Sequence, residues 1–243
     1  MSNLKEAFAF GRALIPFITC GDPSLIVTAE IIKKAEESGA SAAVLAIPFS
    51  DPTAEGAALQ AASLRALSGG VTTDTIMDML GTVRQTVKMP LVCMTYANVV
   101  FSYGIEAFLK RARETGIDGL MLRDVPVDER EEFAPLCRKY GIDFILAAAP
   151  GKTERLEKIC AAAEGFLLLP GSAESKIGIL ADEAKKKTEV PLVVTYSGTE
   201  LVLPKAGDGV MVDTTVVEAV GVYGEDAPEK IAGMIREMKK SLS

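Results

Sequence analysis

Residues 41–56 read SAAVLAIPFSDPTAEG, and this stretch shows a pattern that repeats along the chain. An apolar run, Ala42–Ile47, passes directly into a loop that contains two prolines and two carboxylates. Near-continuous apolar runs of this length are typical of strands that are buried on both faces, as in parallel sheets. The loop that follows is polar and rigid, and functional residues are commonly found in such loops.

The same pattern, an apolar run followed by a mostly helical polar segment, occurs seven more times. The other runs are Leu14–Thr19, Leu91–Thr95, Gly119–Leu122, Phe144–Ala148, Phe166–Leu169, Leu192–Tyr196 and Val210–Val212. Eight β/α units that close on themselves form a barrel of roughly 250 residues, and this chain has 243. The sequence therefore predicts an α/β fold, a (β/α)8 TIM barrel that occupies residues 1–243 as a single domain.

Helices are predicted between the strands, several of them ending at a glycine that can adopt the left-handed cap conformation. They are Ala29–Ser38, Thr72–Val87, Ile105–Thr115 and Asp128–Tyr140, with an extra helix, Ala57–Leu67, in the long interval after the second strand. The link Ser197–Gly209 is too short for a full crossover helix. We therefore expect the last crossover to be irregular.

Charge and composition exclude several classes of function. A net charge of −7 and a pI near 4.9 argue against nucleic acid as a partner, since binding polyanions requires basic patches. No apolar run approaches the ~20 residues of a membrane span, and the N-terminal residues lack the apolar region of a signal peptide. We therefore expect a cytoplasmic protein with no membrane partner.

The catalytic chemistry is also restricted by composition. The chain has no histidine, which excludes Ser-His-Asp and Cys-His systems and histidine-ligated metal sites. The four cysteines are widely spaced and are predicted to be buried free thiols in a reducing compartment. Acid-base work is left to carboxylates, lysine, tyrosine or cysteine.

Four strand-end segments match long motifs of one family. Residues 47–56, IPFSDPTAEG, resemble its IPFSDP-x-A-D-G motif, and residues 15–23, IPFITCGDP, resemble PF-x-T-x-GDP. Residues 94–101, MTYANVVF, resemble MxYAN-x-xF, and residues 123–129, RDVPVDE, resemble A-D-V-P-x-E-E. These long motifs occur in family order over about residues 7 to 150, so the chain resembles the tryptophan synthase alpha subunit family.

The resemblance implies an activity and two proton-transfer positions. The family cleaves indole-3-glycerol phosphate to indole and glyceraldehyde 3-phosphate without a cofactor or metal, and passes indole to a pyridoxal-phosphate beta subunit. Its two catalytic carboxylates, a Glu and an Asp, correspond here to Val44 and Glu55. Valine cannot exchange a proton, and losing such a group typically costs about 10²–10⁴-fold in rate.

Glu55 keeps a carboxylate, but its extra methylene shifts the carboxylate oxygens relative to those of an aspartate. A positioning error of about 1 Å can lower the reaction rate about 10²-fold. Tyr96 is the other candidate acid or base. We therefore predict weak or absent standard activity.

The resemblance also implies a substrate pocket, with several replacements. Strand alternation places Arg123 on the same face as Met121, where the family has a small residue against the indole ring. An Arg123–Glu55 ion pair is one hypothesis, and a solvated arginine at a strand end is the alternative. The residues predicted to contact substrate are Phe17, Met121, Arg123, Asp124, Ser197 and Thr214.

The phosphate-binding positions differ as well. The family holds the phosphate with backbone amides after strands six to eight and a short helix N-terminus. Its G-F-G corresponds to Thr195-Tyr196-Ser197 and its G-S to Asp213-Thr214, where a carboxylate would repel a phosphate dianion. Its R-S-G-V-T-G loop has no counterpart in residues 170–174, although Gly171 and Ser172 still offer amides.

Three functions remain open. The first is an alpha subunit that cleaves indole-3-glycerol phosphate with Glu55 and Tyr96. The second is a non-catalytic partner or regulator of a beta subunit, which would bind through Asp22, Pro48 and Asp51, because these lie in the loops that face the beta subunit in the family. The third is a barrel repurposed for another small anionic ligand, with Arg123 as a clamp for a carboxylate.

Overall fold

The eight predicted strands form one closed parallel barrel. The computed structural model describes residues 3–52, 55–171, 174–198 and 203–242. Each strand pairs in parallel with the next along the chain, and β8 pairs with β1. The strands are β1 (Ala13–Thr19), β2 (Ala43–Ala46), β3 (Leu91–Thr95), β4 (Gly119–Leu122), β5 (Asp143–Ala147), β6 (Leu167–Leu169), β7 (Leu192–Tyr196) and β8 (Gly209–Val212). The prediction of a TIM barrel is confirmed, with every strand end within one residue of the predicted one.

Helices surround the barrel. They are α1 (Leu25–Glu37), α2 (Ala57–Ser68), α3 (Thr73–Val83), α4 (Ala97–Tyr103), α5 (Ile105–Glu114), α6 (Ala134–Lys139), α7 (Thr153–Ala162), α8 (Glu174–Lys185), α9 (Thr214–Tyr223) and α10 (Ala227–Ser241). Short 3-10 helices occupy Leu4–Phe8, Val127–Glu132 and Gly224–Asp226. No described helix combines the length and the apolar character that a bilayer span requires.

Three helix boundaries differ from the predicted ones by more than one residue. Helix α1 begins before the predicted Ala29, because the Ser24 side chain accepts from the Val27 amide and caps the helix there. The predicted helix Asp128–Tyr140 is split into a 3-10 helix and α6, whose first turn contains Pro135, a residue without a backbone donor. Helix α3 ends early, where the Arg84 guanidinium donates to the Met89 carbonyl at 2.6 Å.

The core consists of two apolar layers, one on each side of the barrel wall. Alternation along a strand separates them: on β3, Val92 and Met94 point into the barrel, whereas Leu91 and Cys93 point toward the helices. We call the inward-facing set the inner cluster. It includes Ile15, Phe17, Val44, Ala46, Val92, Met94, Met121, Ile145, Leu168, Val193 and Met211.

The amino-terminal end of the barrel is closed by the 3-10 helix Leu4–Phe8. The Leu4 side chain is fully buried and lies so close to Gly119 and Gly165 that a Cβ there would come within 3.0 Å and 2.7 Å of it. The ring of Phe8 packs against Phe166. The open end, which we call the mouth, is therefore the one where the strands end, and it is where sites occur in this fold.

The crossover from β7 to β8 is irregular in its described part. Residues 203–208 contain no helix. The Arg12 guanidinium holds this segment by donating to the carbonyls of Pro204 at 2.6 Å and Ala206 at 2.9 Å. The predicted irregularity is thus confirmed for these residues.

Candidate active site

Val44 lies in the middle of the barrel wall and faces inward. Its side chain is fully buried, and it pairs in register with Phe17 on β1 and Val92 on β3. Its inward-facing neighbours in the inner cluster are also apolar, among them Phe17, Met94 and Met121. Val44, to which the resemblance assigns the place of a catalytic carboxylate, is thus buried among apolar side chains and has no exchangeable proton.

Glu55, Tyr96 and Arg123 come together at the mouth. Tyr96 follows β3 directly and is 4 % exposed, and its ring stacks on Phe49 with the centroids 4.9 Å apart. Arg123 follows β4, and its backbone amide still donates to the Thr95 carbonyl at 3.0 Å. Glu55 reaches the same place from the loop before α2. These three predicted residues therefore form one cluster, built by three consecutive β/α units.

The electrostatics of Glu55 reflect this setting. Burial raises the pKa of the Glu55 carboxyl above its ordinary value, while the charge of Arg123 and a hydrogen bond from Tyr96 lower it by a smaller amount. A half-buried carboxyl with a raised pKa is a candidate for acid-base work. The Arg123–Glu55 ion pair itself stays a prediction.

Beside Arg123, a cavity of about 380 Å³ opens between the ends of β4 and β5. Met121, Arg123 and Asp124 line it, together with Ile145 and Arg155. Asp124 is exposed, and its carboxylate accepts from the Ala97 amide at 2.9 Å, so it also caps α4. Arg123 is half-buried and lines this cavity together with Met121, and the prediction that the two share one face of β4 stays a prediction.

A second cavity of about 410 Å³ lies over the ends of β6 and β7. Thr195, Ser197 and Lys205 contribute polar groups to an otherwise mainly apolar lining. Ser197 is exposed, whereas Thr195 is 9 % exposed and its hydroxyl has no hydrogen-bond partner among the described residues. Gly171 lines this cavity too, while Ser172, the other predicted amide donor, lies outside the described residues.

Thr214 begins α9 immediately after β8. Its backbone amide donates to the carboxylate of Asp213, which is itself 9 % exposed. The first amide of the helix is therefore occupied by a side chain of the same chain.

The three predicted partner-interface residues differ in exposure. Asp22 is 1 % exposed and receives two hydrogen bonds from Arg65 of α2, at 2.8 Å from Nε and 2.7 Å from Nη2. Pro48 is buried, and Asp51 is exposed. Of the three side chains, only that of Asp51 offers its charge directly to the surface.

Thiol chemistry and metal binding find little support in the described residues. The four cysteines are buried and free, as predicted, and burial raises the pKa of the Cys20 thiol to about 12, so this thiol stays protonated. No three cysteine or carboxylate side chains of the described residues come together as potential metal ligands.

Sequence reasoning missed two of these features. The Asp22–Arg65 pair joins residues 43 positions apart, and no local sequence pattern predicts it. The capping role of Asp213 had a signal, because aspartate directly before an apolar helical segment is a preferred N-cap.

Known proteins of one family match this chain over nearly its whole length. The family model described as tryptophan synthase alpha chain matches residues 3–241. The tryptophan synthase alpha chain of Lacticaseibacillus casei is 36% identical over an alignment of 262 residues, covering 100% of this chain and 98% of the relative. That of Alkaliphilus metalliredigens (strain QYMF) is 34% identical over 242 residues, covering 93% of this chain and 91% of the relative.

Solved structures give the same result. The tryptophan synthase subunit alpha of Legionella pneumophila superposes with a TM-score of 0.93 at 26% identity, covering 100% of this chain and 98% of that one. A chain from the tryptophan synthase a2b2 complex of Pyrococcus furiosus superposes with a TM-score of 0.89 at 30% identity, covering 95% and 98%.

Proposed function

The chain belongs to the tryptophan synthase alpha chain family, and from that premise we propose that it is a divergent member with little or no lyase activity of its own. We further propose that it works in the cytoplasm, without a metal or cofactor, and that its main role is to bind a tryptophan synthase beta chain. Lyase activity that rests on Glu55 and Tyr96 alone is the competing proposal.

One observation carries the first part: the buried, apolar surroundings of Val44. Cleavage of indole-3-glycerol phosphate breaks a carbon–carbon bond, puts a proton on the released indole carbon and removes one from a hydroxyl that becomes the aldehyde. Two positioned groups are needed for these transfers. Glu55, hydrogen-bonded by Tyr96, is suited to one of them, whereas the inner cluster around Val44 has no group for the other.

Restoring the missing carboxylate tests this proposal. We expect the purified wild-type chain to release no indole above a buffer blank, and Val44→Glu combined with Glu55→Asp to release measurable indole. Val44→Gln with Glu55→Asp is the matched control, because glutamine has the shape of glutamate but no transferable acid proton. Thermal melting of all variants shows whether they are folded. Turnover by the wild-type chain at a rate that neither substitution raises would refute the proposal.

The role as a beta-chain partner is supported by two observations. The similar Pyrococcus furiosus protein is an alpha chain of an a2b2 complex, and the loop after β1 in this chain is tied to α2 by the Asp22–Arg65 pair. Such a tie presents a preformed loop, which reduces the entropy lost on association. The exposed Asp51 lies in the neighbouring loop.

Titration with the beta chain of the same organism tests this role. We expect a complex by analytical ultracentrifugation, and a weaker one after Asp51→Lys. Asp182→Lys is the matched control, since Asp182 is an equally exposed carboxylate on α8. Absence of a complex with the wild-type chain would exclude the role, and equal weakening by both substitutions would exclude Asp51 from the interface.

A repurposed barrel is a third proposal, favoured by the position of Arg123 in the cavity beside Met121. A guanidinium there can bind a carboxylate with two hydrogen bonds. Thermal shift against a panel of small carboxylates, repeated with Arg123→Ala, tests it. Identical responses from the two proteins would rule out Arg123 as the clamp.

A further inference from the structure

A cavity of about 340 Å³ lies at the closed end of the barrel, beside β3 and β4. It is formed where the chain leaves α3 and α5 and turns back into these two strands. Its lining consists of Asn3, Arg84, Lys88, Arg113, Gly116 and Asp118. None of these residues lines the two cavities of the mouth, so this cavity is separate from the candidate active site.

An ion pair forms the fixed part of the cavity. Arg84 Nη2 lies 2.6 Å from Asp118 Oδ2, and the two side chains are 19% and 2% exposed. Asp118 also accepts from the backbone amides of Asn3 at 3.3 Å and Leu91 at 3.1 Å. The charge of this carboxylate is therefore balanced by Arg84, and both of its oxygens already accept hydrogen bonds.

The same arginine compensates the ends of α3 and α5. The C-terminus of a helix carries a partial negative charge, which would repel an anion. The Arg84 guanidinium donates to the Met89 carbonyl at 2.6 Å and to the Gly116 carbonyl at 2.7 Å, in the links that follow the two helices. These acceptors are therefore occupied, and the repulsion is reduced.

Two further cations line the cavity and lack a carboxylate partner. Lys88 and Arg113 are exposed, and neither forms an ion pair within the described part of the chain. Together with Arg84 they set three positive charges against the one carboxylate of Asp118, in a chain whose net charge is −7. Such a local excess of positive charge raises the concentration of small anions at the cavity.

Two other carboxylates approach Lys88 from outside the cavity. Glu36 of α1 accepts from the backbone amides of Lys88 at 2.7 Å and Met89 at 2.5 Å. Glu6 lines a neighbouring cavity that Lys88 also borders. The field of Lys88 is therefore partly offset, and we expect Arg113 to contribute more to the binding of an anion.

We propose that this cavity at the closed end binds a phosphate monoester. The guanidinium of Arg113 can donate two hydrogen bonds to one phosphoryl group, and the ammonium of Lys88 supplies a second positive charge. A phosphate monoester carries nearly two negative charges at neutral pH, which matches the local excess of positive charge. The ligand is not the substrate of the mouth, because it binds at the opposite end of the barrel. The proposal therefore goes beyond the proposed function and does not rest on it.

Amide chemical-shift mapping by NMR, with methyl phosphate as the probe at about pH 8, tests the proposal. We expect saturable shifts of the amides of Lys88 and Gly116, and no change for those of Ser197 and Thr214 at the mouth. Malonate, a dicarboxylate with the same formal charge, should bind at least about threefold more weakly, since one phosphoryl group can contact both cations at once.

Three substitutions and one control complete the test. Arg113→Ala should weaken the binding of methyl phosphate about tenfold, and Lys88→Ala about threefold. Arg113→Lys keeps the charge but loses the two-bond geometry, so its affinity should fall between those of the wild type and Arg113→Ala. Lys186→Ala is the matched control and should bind like the wild type. Lys186 is an exposed cation at the same end of the barrel, but it follows α8 on the opposite side.

Thermal melting shows that the variants are folded, and methyl phosphate should raise the melting temperature of the wild type. Shifts confined to the mouth, or no saturable shift at the closed end, would overturn the proposal. Equal weakening by Lys186→Ala and Arg113→Ala would do the same, because it would indicate diffuse attraction and not a site. Malonate binding as tight as that of methyl phosphate would refute the assigned ligand class. All of these outcomes are independent of whether indole is released at the mouth.

Discussion

The two ends of the barrel use carboxylates in different ways. At the closed end, acidic side chains accept from backbone amides at or near the start of the strands: Asp118 from Leu91 at 3.1 Å and Asp208 from Leu192 at 2.9 Å. At the mouth, Asp124 and Asp213 cap helices, and Glu55 faces Tyr96 and Arg123. Carboxylates of the closed end hold the wall together, whereas those of the mouth border space that a ligand can fill.

This difference shows which replacements the fold tolerates. At the closed end, hydrogen bonds between carboxylates and backbone amides stabilise the strands. The barrel also superposes closely on a solved relative. Val44 and Asp213, the two positions at which the sequence analysis predicts a departure from the family motifs, lie in or next to intact strands. The barrel alone therefore does not determine the chemistry at the mouth.

The largest effect on stability is expected at the closed end, from Asp118→Ala. Asp118 is 2 % exposed and accepts from Arg84 Nη2 at 2.6 Å. Its removal leaves the largely buried Arg84 guanidinium, which still donates to the Met89 carbonyl, without its counter-charge, and the Leu91 amide without this acceptor. We expect the free energy of unfolding to fall by about 3–5 kcal/mol in urea denaturation. A loss no larger than that of the mouth variant Asp124→Ala would erase the distinction between the two ends.

Arg65→Ala tests Asp22, a buried carboxylate of the mouth that accepts two hydrogen bonds from Arg65. The substitution strands the buried Asp22 carboxylate, and because Arg65 itself is partly exposed we expect a loss of about 2–3 kcal/mol. Adding Asp22→Asn to that variant removes the stranded charge and should restore part of the stability. A double variant as unstable as the sum of the single ones would show that the two residues do not interact.

Asp124→Ala should have a smaller effect, because it removes only the cap of the short helix α4. We expect a loss of about 1 kcal/mol, measured by the same denaturation. Asp124→Asn serves as the control, since asparagine caps a helix equally well, and it should remain near the wild-type value. Equal losses of unfolding free energy in the two variants would mean that the negative charge of Asp124, and not its capping hydrogen bond, stabilises the fold.

The smallest effect concerns the pH dependence contributed by Glu55. Because its pKa is raised in the folded state, Glu55 favours folding below the ordinary glutamate pKa, and that contribution is lost as the pH rises through the raised pKa. Glu55→Gln should therefore match the wild type at about pH 4 and become relatively more stable toward about pH 8, by less than ~1 kcal/mol. A relative stability that changes in the opposite direction would contradict the burial of this carboxyl.

Prediction from sequence succeeded where the signal is local and repeated. Apolar runs such as Ala42–Ile47 define strands because both faces of a barrel wall are buried. The helix starts at Leu25 and Ala134 were missed, since single side chains, Ser24 and Pro135, decide them.

The tertiary features of the mouth were harder to predict. The Tyr96–Glu55 hydrogen bond and the Asp22–Arg65 pair depend on how separate β/α units meet, which spacing along the chain does not encode. The unsatisfied hydroxyl of Thr195 is visible only when its neighbours on both adjacent strands are known.

Release of indole from indole-3-glycerol phosphate by the purified wild-type chain, alone and with its beta chain, tests the central claim most directly. Because we propose that Val44 stands in place of one proton-transfer group, we expect no release above the blank in either case. Turnover at a rate close to that of the Lacticaseibacillus casei alpha chain, assayed in parallel, would contradict the account.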